Sequence, residues 1–163
     1  MNRQGFTKLP ILTKLGYSIG HVLNDMCAAM WFTYLLLFFE KVLNIEKNSA
    51  GTIMLIGQVM DGIATVFVGI CVDKENNFWL CNLMGKRKAW HLIGTILVMI
   101  SFPFIFNQTV GIQDPSLPTQ MAYYTIFVIL FQVGWAAVQI SHLSIIPDLT
   151  KHEMERTSLT SKR

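Results

Sequence analysis

Four long apolar stretches alternate with short polar and charged segments along this chain of 163 residues. They run over about residues 15–39, 50–72, 89–106 and 121–147. Each is close to the roughly 20 apolar residues with which an α-helix crosses the hydrocarbon core of a bilayer. The pattern therefore predicts an all-α membrane protein with a four-helix transmembrane region over 15–147. A polar segment over 1–14 precedes this region, and a polar tail over 148–163 follows it.

The basic residues predict how the chain is oriented in the membrane. None of the 13 Lys and Arg residues lies inside an apolar stretch. Eleven of them fall in the N-terminal segment, the 73–88 loop and the tail, whereas the 40–49 loop carries only Lys41 and Lys47. Lys and Arg accumulate in cytoplasmic loops, so both termini and the 73–88 loop are predicted to face the cytoplasm.

A carboxylate lies near the middle of each of the first two stretches, Asp25 in the first and Asp61 in the second. A charged side chain at the centre of a membrane helix costs about 2.5–3.5 kcal/mol on insertion scales. None of the four stretches contains a Lys or Arg that could neutralise such a charge. Each carboxylate is therefore expected to be protonated or to face an ion, a substrate or another helix, which indicates a transport protein.

Polar residues recur at helical spacing in three of the four stretches. They are His21, Asn24 and Asp25 in the first stretch, Gln58, Asp61 and Thr65 in the second, and Gln132, Trp135, Gln139 and His142 in the fourth. Three polar faces predict an internal aqueous cleft that binds a small polar solute and a cation. A lone Gln or His in a membrane helix also hydrogen-bonds a neighbouring helix without any ligand, so that alternative stays open for His21, Gln132 and His142.

Other classes of function lack a signature in the sequence. The chain has no GxSxG, HExxH, P-loop or Gly-rich dinucleotide fingerprint, so neither an enzyme nor a cofactor is predicted. Its three cysteines form no CxxC pair, and no metal site is expected. The basic 73–88 loop adjoins the bilayer, so contact with lipid is expected and nucleic-acid binding is not.

The second stretch and the loop after it resemble the major facilitator superfamily. The similarity lies in the two halves of that family's cytoplasmic loop motif, which are Gly69, Asp73 and Lys74, and then Gly85, Lys86, Arg87 and Lys88. In this chain the ten residues 75–84 separate the halves. The resemblance implies that the four helices form most of one six-helix half of a major facilitator fold. It also implies that this motif gates the cytoplasmic side.

Four further motifs resemble the glycoside–pentoside–hexuronide:cation symporter branch of the superfamily. They are Leu23-Asn24-Asp25, Met60-Asp61-Gly62, Gly85 to Trp90, and the loop motif of Pro147, Asp148 and Arg156. By resemblance, Asp25 stands at a substrate-contacting Asp and Asp61 at a cation-site Asp. Thr65 replaces the second cation-site Asp, and Gln139 replaces the substrate Asp of the fourth helix.

Two predicted sites follow from the polar faces and the resemblance together. The substrate site comprises His21, Asn24, Asp25, Trp135, Gln139 and His142. The site for a coupling proton or sodium ion comprises Gln58, Asp61 and Thr65.

Several stretches, among them Gly20–Tyr34 and Gln139–Ser144, resemble an animal branch of the superfamily that imports cysteine into lysosomes and melanosomes. The resemblance implies an alternating-access carrier for an amino acid in an organellar membrane; a cation-coupled sugar symporter is the alternative. The chain is expected to be an N-terminal fragment or short isoform that does not transport alone. A further alternative is a non-transporting fragment that associates with the missing transporter half or with a full-length carrier.

Overall fold

The computed structural model describes residues 9–73 and 79–161. These residues form helices α1 Ile11–Leu37, α2 Lys47–Asp73, α3 Trp79–Met84, α4 Lys86–Ile105, α5 Leu117–Leu149 and α6 Glu153–Thr160. A π-helical turn, Phe38–Val42, continues α1. Helices α1 (with this turn), α2, α4 and α5 are each long and apolar enough to cross a membrane. The predicted all-α fold with four membrane-spanning helices is confirmed.

The helices extend beyond the apolar stretches from which the sequence located them. Helix α1 begins at Ile11, inside the segment predicted to be polar, and α5 runs from Leu117 to Leu149. Polar residues continue a membrane helix where water or a partner satisfies them, and Lys14 in α1 has such a partner in Glu155. The tail, too, contains a helix, α6. The membrane boundaries themselves stay a prediction.

Helix α5 is the centre of the bundle. In its most apolar stretch of 18 residues, 50% of the residues are buried, compared with 22–28% in the corresponding stretches of the other three spanning helices. Helices α2 and α4 pack along it, whereas α1 contacts it through a narrower face. That face consists of Tyr17, His21, Asn24, Cys27, Trp31 and Leu35. Because polar residues make up part of this face, α1 brings them directly against α5.

Two glycines allow α4 and α5 to cross closely. A Cβ atom added to Gly94 would lie 2.7 Å from the Gly134 carbonyl oxygen and 2.7 Å from the Val138 nitrogen. A Cβ atom on Gly134 would lie 2.8 Å from the Leu97 Cβ atom. Small residues let helix backbones approach closely inside a membrane. This crossing fixes the distance between the two helices at mid-length.

Apolar clusters secure the two ends of the bundle. The larger cluster surrounds Trp31, Phe39, Ile53 and Phe131, and Gly57 makes room for it because a Cβ atom there would lie 2.8 Å from the Trp31 ring. A smaller cluster of Tyr17, Ile146 and Leu159 joins α1, α5 and α6. The smaller cluster lies at the basic end, defined as the end where α1 and α4 begin and α2 and α5 end.

We expect Gly94→Ala to lower the free energy of unfolding by about 1–3 kcal/mol, because the added methyl group forces α4 away from α5. Unfolding of the purified chain in mixed micelles measures this change. Gly51→Ala is the matched control, since a Cβ atom there meets no atom within 4 Å. The control should be neutral or stabilising by up to about 1 kcal/mol through helix propensity. Equal destabilisation by both variants would contradict the close crossing.

Candidate solute and cation site

Asp25 in α1 and Asp61 in α2 each lie one residue beyond the midpoint of a helix 27 residues long. At about 1.5 Å of rise per residue, each lies roughly 20 Å from either end of its helix. The Asp25 side chain is 54% exposed, and its Oδ1 atom lies 3.3 Å from Nε2 of the fully buried His21. The partner of this carboxylate is therefore an imidazole one turn earlier in the same helix.

A hydrogen bond between amide side chains joins α1 to α5 beside Asp25. The Asn24 Nδ2 group donates to Gln139 Oε1 at 3.1 Å, and Asn24 is only 2% exposed. The sequence predicted both residues on polar faces but did not show that the two faces meet. The bond fixes the Asn24 and Gln139 side chains next to the position from which Asp25 projects.

Three imidazole rings and a phenol meet where α1, α4 and α5 come together. His142 stacks on Tyr17 with ring centroids 4.0 Å apart and on His21 with centroids 4.6 Å apart. His91 of α4 completes the group, at 5.7 Å from His142. We call His21, His91 and His142 the imidazole cluster. Sequence reasoning missed His91, although Thr95, one turn later in the same stretch, could have marked a polar face with it.

Two cavities border the imidazole cluster. The larger, of about 490 Å³, lies between α1, α4 and α5, and its lining includes Tyr17, Gly20, Lys88, His91 and His142. The smaller, of about 250 Å³, shares Gly20 and His91 with it and adds Asn24. Asp25 lines neither of them. The imidazole cluster therefore borders these cavities, whereas the Asp25 carboxylate lies outside their lining.

The α2 residues of the predicted cation site lie apart from these contacts. Asp61 and Thr65 are half-buried and Gln58 is exposed. Within residues 9–73 and 79–161, the Asp61 carboxylate makes no hydrogen bond or ion pair, and no hydrogen bond joins these three residues to Asn24 or Gln139. Asp61 therefore places a half-buried carboxylate without an ion pair, within the described residues, near the middle of α2.

The remaining polar residues of α5 differ in environment. Gln132 is completely buried. The indole of Trp135 stacks on Phe131 at 6.0 Å and meets the Phe32 ring edge-on, also at 6.0 Å. The rings of Trp135 and Phe32 therefore form an aromatic surface, and Phe32 lies two turns after Asp25 in α1.

Two contacts tie the predicted gate motif together at the basic end. Arg87, in the first turn of α4, forms an ion pair with Asp148 near the end of α5. The Lys86 Nζ group lies 3.5 Å from the main-chain carbonyl oxygen of Asp73, which closes α2 against α4. Gly85 precedes α4 with φ of +87°, a conformation that favours glycine. Lys74 lies outside the described residues, and Gly69 is half-buried in α2.

A second ion pair attaches the tail to α1. Lys14 Nζ lies 2.6 Å from Glu155 Oε2, and their side chains are only 13% and 6% exposed. Arg156, from the predicted loop motif, donates through Nε to the Thr150 carbonyl oxygen at 3.0 Å. Pro147 lies in the last turn of α5. Helix α6 thereby holds the beginning of α1 against the end of α5.

Comparison with known proteins gives the family. The family described as "MFS/sugar transport protein" matches residues 16–163. The chain is 46% identical over 157 residues to "Major facilitator superfamily domain-containing protein 12" of Homo sapiens. The aligned residues cover 95% of this chain and 32% of that protein. It is 29% identical over 151 residues to the "Glucuronide carrier protein homolog" of Escherichia coli, covering 93% of this chain and 31% of that protein. No solved structure matches the chain.

The chain therefore belongs to the MFS/sugar transport family, a family of membrane transporters. The resemblance that the sequence motifs indicated, to the symporter branch and within it to major facilitator superfamily domain-containing protein 12, is confirmed. The chain spans about a third of the length of the curated relatives it matches.

We expect Glu155→Gln to loosen α6 by about 2–3 kcal/mol, somewhat below the 3–5 kcal/mol for a fully buried pair, because Lys14 keeps some contact with water. Amide hydrogen exchange in α6 and in the first turns of α1 measures this opening. Asp148→Asn removes the other ion pair, whose side chains are 31% and 65% exposed. That exposed pair should contribute no more than about 1 kcal/mol. An equal or larger effect of Asp148→Asn would show that the Arg87 pair is the stronger constraint.

Proposed function

We propose that this chain supplies four helices of one half of an alternating-access carrier for a small amino acid, cysteine, in a lysosomal or related organellar membrane. The observation that supports it most directly is the Asn24–Gln139 hydrogen bond beside the exposed Asp25 carboxylate. The contact joins the midpoint of α1 to α5. Substrate sites of such carriers lie near the midplane between helices.

The chemistry of this site suits a zwitterion. The Asp25 carboxylate offers a negative charge to an α-ammonium group, and His21 holds that carboxylate in place. The side-chain NH2 groups of Asn24 and Gln139 can donate hydrogen bonds to the carboxylate of the solute. His142 and the Trp135 indole complete the proposed solute site on the α5 side. The resemblance of Gly20–Tyr34 and Gln139–Ser144 to cysteine importers supports cysteine as the solute.

Asp61, Gln58 and Thr65 form the proposed site for a coupling proton or sodium ion. Carboxylate, amide and hydroxyl oxygens are the ligands that hard cations prefer. The position of Asp61 at mid-helix, with no ion pair within the described residues, supports this assignment.

The contacts at the basic end act as the proposed cytoplasmic gate. The Arg87–Asp148 pair and the Lys86–Asp73 contact join α2, α4 and α5 where the loops carry most of the basic residues. The excess of Lys and Arg at this end supports a cytoplasmic position for it and for both termini.

A cation-coupled sugar symporter of the same family is the second candidate function. Relatives include the "Glucuronide carrier protein homolog" of Escherichia coli and the "Isoprimeverose transporter" of Lactiplantibacillus pentosus, the latter 26% identical over 157 residues. Amide side chains bind sugar hydroxyls as readily as amino-acid groups. The exposed apolar faces of α1 and α2 also fit association with another transporter segment or with a full-length carrier.

A chimera tests the proposal. This chain replaces the aligned third of the Homo sapiens relative, and uptake of labelled cysteine and of labelled glucuronide is measured in reconstituted liposomes. Saturable cysteine uptake supports the amino-acid carrier, whereas glucuronide uptake without cysteine uptake would establish the sugar symporter. A chimera that inserts and folds but moves neither solute would refute both.

In this chimera we expect Asp25→Asn to weaken solute binding about 10- to 100-fold, because a contact with a charged group contributes about 1.5–3 kcal/mol. The concentration dependence of uptake measures the change. Asp114→Asn is the matched control, since Asp114 is exposed in the loop between α4 and α5 and its φ of +48° suits Asn. Identical behaviour of the two variants would remove Asp25 from the solute site.

Asp61→Asn in the same chimera should abolish gradient-driven accumulation while exchange of solute across the membrane continues. The amide cannot bind a proton or neutralise a cation, so the ion gradient can no longer drive uptake of the solute. Accumulation ratios with and without an imposed ion gradient give the measurement. Intact accumulation in the variant would rule out Asp61 as the coupling site.

A further inference from the structure

We propose that His21, His91 and His142 form a binding site for a single proton, shared among three helices and separate from Asp61. The geometry of the cluster supports the site itself. A role for its proton in coupling an ion gradient to solute transport rests on the function proposed above. The cluster connects the Asp25 side of α1 with the cavity of about 490 Å³ on the other side.

The rings are close enough to share one charge. His142 lies between the other two, with centroids 4.6 Å from His21 and 5.7 Å from His91. His21 is 0% and His142 is 3% exposed. A protonated ring in this position stacks on a neutral imidazole and on Tyr17, whose centroid is 4.0 Å from that of His142. An aromatic face attracts a cation, most strongly where water is excluded.

A second proton is disfavoured by the first. Two imidazolium rings at these separations, in a medium of low dielectric constant, repel each other strongly. Groups that interact this strongly titrate as a unit and not as separate sites. The cluster should therefore change by one charge over the range in which three isolated histidines would change by three.

The charged and titratable neighbours are consistent with one proton. On α1 they are Asp25 and Tyr17, and on α4 the ammonium group of Lys88 lines the same cavity as His91. On α5 the neutral Gln139 is held by Asn24. The Lys14–Glu155 pair toward α6 is already mutually neutralised. Within the part of the chain that the structure describes, the carboxylate of Asp61 on α2 forms no ion pair.

Groups at the two ends of the cluster favour a bound proton. The Asp25 carboxylate lies 3.3 Å from His21 Nε2 and attracts a positive charge on that ring. Within the described residues, Nε2 of His91 is buried without a hydrogen-bond partner. His91 also borders both cavities, so the cluster adjoins them on the side of α4.

Proton counting in the chain itself tests this site. The 163-residue chain is labelled with ¹⁵N-histidine, reconstituted into lipid nanodiscs, and followed by NMR from pH 8 to pH 5. We expect His21, His91 and His142 together to take up one proton, in curves that depart from independent titration. Uptake of none, or of two or three protons, would overturn the proposal.

Variants add a second readout. His91→Gln should move the titration midpoints of His21 and His142 by about one pH unit, the threshold at which sites titrate as a unit. His152→Gln is the control, because the fourth histidine lies between α5 and α6, immediately before Glu153. Unchanged midpoints in His91→Gln would overturn the proposal, as would equal shifts in both variants. Should His91→Gln fail to fold, the proton count of the unaltered chain decides.

These measurements need no solute, so they separate the two proposals. A cluster that binds one proton in a chimera that moves no solute refutes the transport function alone. Uptake of solute by a chimera whose three histidines titrate independently refutes the shared site alone.

Discussion

The absence of water around a spanning helix is the constraint on which this structure depends. A polar side chain in hydrocarbon must find its partner within the bundle. Helix α1 meets this requirement for His21 and Asn24 by turning both toward α5. Asn24 binds Gln139 there, and His21 stacks on His142. The same contacts that make α1 compatible with the bilayer assemble the candidate site.

The close crossing of α4 and α5 places the third imidazole. Gly94 lies one turn after His91, and Val138, which the Gly94 backbone approaches, lies one turn before His142. Backbones that approach this closely bring side chains one turn away into range of each other. A larger residue at the crossing separates the rings as well as the helices. The close crossing at Gly94 and Gly134 therefore determines both the packing of the helices and the positions of the rings.

The basic end combines two contacts of unequal burial. The Lys14–Glu155 pair is almost enclosed, whereas the Arg87–Asp148 pair is largely exposed. An enclosed pair is costly to break, and an exposed pair exchanges readily with water. The first is suited to holding α6 and α1 together permanently. The second is suited to a contact that opens and closes.

Apolar length and uneven basic charge were sufficient to predict the helices, and the resemblance of the loop motifs around Asp73 and Gly85 was sufficient to indicate the family, because these properties are local in the chain. The contact between Asn24 and Gln139, the place of His91 and the pairing of Lys14 with Glu155 were not predictable. Each depends on how far one helix is rotated and shifted against another. Close-packed glycines and aromatic rings set that rotation, and residues far apart in sequence contribute to it. Tertiary packing alone decided which polar groups meet.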